Sequence, residues 1–207
     1  VHPRPHRHAG GAEVDGAVGM SPTLRWVTTA TEAVHTNPGF AVREDTVRLP
    51  DDSERSYHTV EAPPSVAIIP FTSRGDLILI EEWRQPVQSV SRGIPAGTIE
   101  AGDADPLAAA RRELREETGH TATGWEELFT VDPANGLLDS PTTYFLATEA
   151  EETAALELDV DESIRTTAVA PEAAWQQLQA GQIRDARCRL AFTHLVATRH
   201  RTVAGLR

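Results

Sequence analysis

Lysine is missing from this 207-residue chain. All nineteen basic residues are arginine, and thirty-one acids outnumber them for a formal net charge of −12. A surplus of that size repels a phosphate backbone unless the bases gather on one face, so no nucleic-acid partner is expected. An acidic chain that handles a phosphorylated substrate needs divalent cations to offset repulsion between its carboxylates and the ligand. Cysteine is almost as scarce. Cys188 is the only one; it closes no intramolecular disulfide and builds no thiolate metal site alone, so packing has to carry the fold, and a reducing cytoplasm is the expected setting. Long apolar runs are absent too. Nothing approaches the roughly 18 residues that cross a bilayer, and the opening VHPRPHRHAG lacks the apolar stretch of a signal peptide. Neither membrane insertion nor export is expected.

What is present is ordinary for a globular chain: 40% hydrophobic and 24% charged residues, enough for one large domain with a small N-terminal annex. Residues 1–20 hold Pro3, Pro5, His2, His6 and His8 among glycine and alanine, with no period that buries a face, and read as a mobile tail. Met20, the single methionine, is an alternative start. Residues 21–62 form N-terminal strands, among them a hairpin between Phe40 and Val60 around Leu49-Pro50-Asp51-Asp52. The main domain spans 63–207. It opens with core strands at 65–71 and 77–83, separated by the turn Ser73-Arg74-Gly75-Asp76. Asp105 followed by Pro106 starts a helix that runs to Thr118, where Gly119 ends it. Strands follow at 127–131 and 143–148, then an acidic stretch from Glu149 to Glu162, a strand at Ile164–Val169 and helices at 171–179 and 186–199. The last helix carries Leu190, Phe192, Leu195 and Val196 on one face, and Cys188 and His194 read as packing residues. Strands before and after a buried helix give a mixed α/β (α+β) class, with helices on both faces of a central sheet.

The chemistry concentrates in Arg111-Arg112-Glu113-Leu114-Arg115-Glu116-Glu117-Thr118-Gly119. On a helical wheel with Leu107 at zero, Ala110, Leu114 and Thr118 form an inward stripe, while Glu116, Glu113 and Glu117 fall at about 180°, 240° and 280°. Three carboxylates on one arc repel one another unless a cation lies between them. A divalent ion fits that need, since magnesium takes oxygen ligands and bridges carboxylates to substrate phosphates. Alone, the same helix also suits a solvated face held by arginine–glutamate pairs. The whole pattern R-E-L-x-E-E-x-G shifts the balance, because its chance occurrence in a chain of this length is on the order of 10⁻⁴.

Together with Gly97-Thr98-Ile99-Glu100-Ala101-Gly102-Asp103 upstream, this stretch resembles the Nudix box, the loop–helix–loop signature of hydrolases acting on nucleoside diphosphates linked to another moiety. The spacing departs from the pattern by one inserted residue, which restores Asp103 and Gly97 to the expected acid and glycine. His120 stands where an aliphatic residue is usual. Trp83-Arg84-Gln85-Pro86, Ile94-Pro95-Ala96-Gly97-Thr98-Ile99-Glu100 and Gly181-Gln182-Ile183-Arg184-Asp185 narrow the resemblance to the ADP-ribose pyrophosphatase-like branch. A further departure is Gly93, preceded by Arg92, where that branch has an acid two residues before the Pro-Ala-Gly turn.

The resemblance implies an αβα sandwich with a mixed central sheet and a small N-terminal antiparallel sheet. It implies Mg²⁺, with Mn²⁺ an alternative, held by Glu113, Glu116, Glu117 and the Ala96 carbonyl, with Arg112 orienting a box carboxylate. It implies a general base in the acidic stretch, at Asp159, Asp161 or Glu162, and substrate contacts near Arg84, Trp83 and Gly97. Arg84 suits a phosphate or a neighbouring carboxylate equally, and Trp83 suits adenine or the core. The expected activity is cleavage of ADP-ribose, or a related nucleoside diphosphate sugar, to a nucleoside monophosphate and a sugar phosphate, by a homodimer. Two rivals are a Nudix hydrolase of a dinucleotide polyphosphate, NADH or an oxidised nucleotide, and a non-catalytic nucleotide sensor; the three retained acids oppose the sensor.

Overall fold

The strand Ser65–Thr72 (SVAIIPFT) is apolar on both faces, as a strand must be when layers cover it from either side. Its alternation sorts the core in two. Val66 and Ile68, with Phe145 and Ala147, meet Ala109, Ala110 and Leu114 of a helix on one face. Ala67, Ile69 and Phe71, with Tyr144 and Leu146, meet Leu178, Phe192 and Leu195 of two helices on the other. The result is the expected three-layer α+β sandwich. The computed structural model describes residues 24–158 and 163–198; the tail at 1–20, Met20, and Asp159, Asp161 and Glu162 lie outside the described residues.

In chain order the elements are β1 (Val27–Thr36), β2 (Ala41–Arg48), β3 (Glu54–Glu61), β4 (Ser65–Thr72), β5 (Leu77–Arg84), β6 (Ser89–Gly93), β7 (Ala96–Thr98), α1 (Pro106–Thr118), β8 (His120–Val131), β9 (Leu138–Asp139), β10 (Thr142–Glu152), β11 (Ile164–Val169), α2 (Pro171–Gln179) and α3 (Ala186–Ala197). The central sheet runs β11-β5-β4-β10-β8, with β6 added to β5 and β7 to β4. β10 lies parallel to β4 and antiparallel to β8, so the sheet is mixed. The N-terminal sheet is antiparallel through β1, β2 and β3, and a two-residue β9 pairs with β3 in parallel at its other edge.

Helix α1 begins and ends as its sequence dictates. The Asp105 side chain accepts from the Ala108 N–H at 2.7 Å, Pro106 occupies the first turn, and Gly119 takes the left-handed conformation at φ 71° while its N–H donates to the Arg115 carbonyl. The glycine matters twice, because a Cβ there would strike the Ala154 carbonyl oxygen. That closeness is used: the Gly119 carbonyl accepts from the N–H groups of Thr153 and Ala154, which pins the segment after β10 to the end of the helix.

Several elements differ from the sequence reading. β8 starts at His120, and β10 extends to Glu152, into the acidic stretch, because the two strands pair from Thr142↔Val131 to Glu152↔His120 and ladder hydrogen bonds outweigh an acidic composition. β6 (SVSRG) and β7 (AGT), poor in the apolar residues that mark a strand, were not expected; each is a short piece paired to one core strand. α3 stops at Ala197 instead of 199. Cys188 and His194 do pack: Cys188 is fully buried, which pushes its thiol up to about 12, and the His194 ring lies 4.4 Å from that of Phe129.

Every residue of β1 is exposed, and Trp26, Val27, Val34 and Phe40 show large apolar surface around it. The sheet is anchored elsewhere. The Tyr57 hydroxyl donates to the Gly136 carbonyl at 2.6 Å, and the Val60 N–H to the Leu137 carbonyl at 2.8 Å.

Leu114 is wholly buried between α1 and the central sheet. Leu114→Ala is expected to cost about 2–5 kcal/mol in a denaturant titration; a loss below about 1 kcal/mol would show that α1 is not held by this contact.

Candidate active site

The turn that carries Ala96 and Gly97 is fixed by β7, which pairs with Ser65, Val66 and Ala67 of β4. Helix α1 lies against it with two of the three glutamates buried. Glu117 is 2% exposed and Glu113 8%, while Glu116 is half-buried and ion-paired with Arg112 and Arg115. A solvated face held by surface ion pairs is therefore not what Glu113 and Glu117 form. Glu117 accepts from the Ala96 N–H at 2.9 Å. Glu113 lies so close to the backbone of Gly97 that a Cβ there would fall inside its carboxylate. Only glycine leaves that space.

Arg112 joins the parts. One terminal nitrogen donates to Glu113 at 2.8 Å and to Glu116 at 3.0 Å. The other donates to the Thr98 carbonyl at 2.8 Å and to Asp103 at 3.0 Å, and Nε donates to the second Asp103 oxygen at 3.2 Å. The bidentate pair holds the Asp103 carboxyl below its usual range and the guanidinium above its own. Asp103 also accepts from the Glu100 N–H at 2.8 Å. The acid restored by the one-residue insertion thus fastens the loop to the helix.

A cavity of about 460 Å³ opens over this cluster, lined by Glu113, Glu116, Ala96, Gly97 and Thr98 together with Arg84, Arg112 and Arg187. Arg84 pairs with the buried Glu82 at 2.6 Å. Glu157 lines the same cavity. Its N–H donates to the Glu116 carbonyl at 3.0 Å, and its side chain pairs with Arg115 at 2.8 Å. Neither Glu157 nor Arg187 was singled out from sequence: the first is one acid among many in its stretch, and the second sits in a helix that reads only as packing.

Trp83 is placed elsewhere. Alternation along β5 sends Glu82 and Arg84 toward the acid-lined cavity and Glu81 and Trp83 to the opposite face, where Trp83 is 49% exposed beside Val90. It is not a core residue. Arg92, at the departure next to Gly93, pairs with Glu81 at 2.7 Å and donates to Gln177 at 2.7 Å, tying β6 to α2.

Among the described residues, no three acidic, histidine or cysteine side chains form a ready metal cage, because Arg112 stands between Glu113 and Glu116. The donor chemistry still suits a hard divalent cation: buried carboxylate oxygens converge with a peptide turn that glycine keeps open.

Comparison with known proteins points to one family. The NUDIX domain model matches residues 61–190. The chain is 30% identical over 177 residues to the ADP-ribose pyrophosphatase of Bacillus subtilis (strain 168), covering 84% of this chain and 94% of that protein. It is 33% identical over 125 residues to the ADP-ribose pyrophosphatase of Mycobacterium tuberculosis, covering 60% of each. A crystal structure of an ADP compounds hydrolase superposes with a TM-score of 0.74 at 23% identity, over 86% of this chain and 96% of that one, which speaks to the fold.

Gly97→Ala should displace the Glu113 carboxylate and lower kcat at least about tenfold with little change in melting temperature; full activity would show that Glu113 has room the geometry denies it. Asp103 gives a pH test. Its carboxyl is depressed in the fold, so the pair stabilises the protein above the ordinary value of 3.8 and loses its effect as pH falls through the lower folded value. The stability gap between the native protein and Asp103→Asn should be full at neutral pH and close only in acid below 3.8; a gap that does not vary with pH would refute the pair.

Proposed function

The chain belongs to the Nudix family and is a Nudix hydrolase, and on that premise we propose that it is a Mg²⁺-dependent pyrophosphohydrolase of ADP-ribose or a related nucleoside diphosphate sugar. The products are a nucleoside monophosphate and a sugar phosphate. The observation that carries the reading is one cavity lined both by box acids and by Arg84, Arg112 and Arg187. The extent of likeness to the Bacillus subtilis ADP-ribose pyrophosphatase, over 94% of that protein, supports the substrate.

Glu113, Glu116, Glu117 and the Ala96 carbonyl are the residues assigned to Mg²⁺, with Mn²⁺ an alternative. When bound, the cation neutralises the diphosphate and activates the attacking water. The chain itself supplies position. Arg112 fixes the rotamers of Glu113 and Glu116, and Glu117 is held against the turn through the Ala96 N–H. Arg84 and Arg187 line the cavity with the acids and are assigned to diphosphate oxygens, Arg84 oriented by Glu82. Gly97 lines the cavity beside the Glu113 carboxylate and is assigned to a substrate contact through its backbone. The proton of the attacking water goes to the acidic segment, Glu162 first. Trp83, on the far side of β5, is assigned to the base and not to the phosphates.

No described helix is long and apolar enough to cross a membrane, and a cytoplasmic setting is part of the proposal. So is a homodimer built on residues 21–62, supported by the apolar side chains exposed on and around β1. Sedimentation should give twice the 22.5 kDa chain mass; a monomer at working concentration removes this part.

The test is turnover of ADP-ribose with magnesium, with AMP and ribose 5-phosphate resolved by chromatography, beside an EDTA control. Glu117→Gln should lower kcat by about 100-fold or more while melting as the native protein does. No magnesium-dependent AMP release, or a fully active Glu117→Gln, overturns the reading.

A further inference from the structure

A second cavity, of about 630 Å³, opens beside the acid-lined one, and Arg84 lines both. Its walls carry three guanidiniums, of Arg84, Arg92 and Arg184, against the single carboxylate of Asp185. Three of these four groups are already engaged. Arg84 pairs with Glu82 and Arg92 with Glu81. Asp185 accepts from the Cys188 N–H at 2.8 Å to cap α3 and pairs with Arg187 at 3.3 Å. Arg184 has no acidic partner among the described residues, and it is exposed on the groove wall.

Gly93 adds no charge, and the space beside it is taken by Asp185, whose Cγ would lie 3.2 Å from a Cβ there. With Glu82 and Glu81 offsetting Arg84 and Arg92, Arg184 is the guanidinium of this groove wall with no acidic partner among the described residues, in a chain of net charge −12.

We propose that this groove is a second anion subsite, which reads a phosphoryl group carried by the substrate in addition to the scissile diphosphate, with Arg184 as the specificity-determining contact. The inference rests on the hydrolase reading. It supplies a reason for a guanidinium without a carboxylate: the missing acceptor comes with the ligand, and the planar fork of arginine suits phosphate oxygens.

The test compares kcat/KM for ADP-ribose, 2′-phospho-ADP-ribose and ADP-ribose 1″-phosphate, in the native protein and in Arg184→Ala and Arg184→Glu. One phosphorylated compound should be preferred over ADP-ribose by about tenfold, through KM. Arg184→Ala should bring that ratio to about one and Arg184→Glu below it. The compound preferred tells which end of the substrate lies in the groove. Preference for neither, or a preference that survives Arg184→Ala, overturns the subsite. Calorimetry with AMP against adenosine 2′,5′-bisphosphate, and ribose 5-phosphate against ribose 1,5-bisphosphate, reads the same contrast without turnover. If ADP-ribose is not cleaved, the hydrolase substrate is wrong, and the calorimetric pairs still decide the subsite.

Discussion

Everything at the site hangs on one guanidinium. Arg112 reaches the loop through Asp103, the turn through the Thr98 carbonyl, and its own helix through Glu113 and Glu116. A lysine, a point charge with three donors, could not span those directions from one position. Carboxylates as buried as Glu113 and Glu117 are costly without compensation. Arg112 compensates one, and the Ala96 N–H the other. The acids are therefore kept ready by a cation and a peptide group that belong to the protein.

The same pairing of charge runs through the whole region. Arg112 lies among the box acids, and Arg84, Arg92 and Arg187 line the two cavities, each paired with a carboxylate of β5 or with Asp185. A chain with twelve surplus negative charges can then address an anionic ligand, since what the ligand meets is the local field and not the sum. The arginines are themselves held: Glu82 sets Arg84, and Arg165 and Arg92 grip Glu81, whose carboxyl they keep below its ordinary range.

Much of this was legible before any coordinates. The Asp105-Pro106 start and Gly119 end of α1, the alternating apolar strand β4 and the spacing of the three glutamates are local signals, and local signals survive folding. What did not read through was tertiary. β6 and β7 exist because β5 and β4 offer them edges, and β10 continues past its apolar residues because β8 pairs with it. The face on which Trp83 lies follows from the register of β5 within the sheet. Asp103 looked displaced by an insertion, yet the loop before α1 folds so that it reaches Arg112 all the same. Glu157 carried no mark until the turn at Gly119 brought its segment back over α1.

That return has a further meaning. The path leaving Gly119 along β8 and coming back along β10 to Glu157 begins and ends on the same helix, while its far turn is bonded to the N-terminal sheet at Tyr57 and Val60. Residues 132–137 are thus a shared hem between the two sheets. Surface turns generally tolerate changes of length, but a residue gained or lost here would disturb the bonds to Tyr57 and Val60, so the length of this turn is tied to the N-terminal sheet and, through the hairpin, to the end of α1.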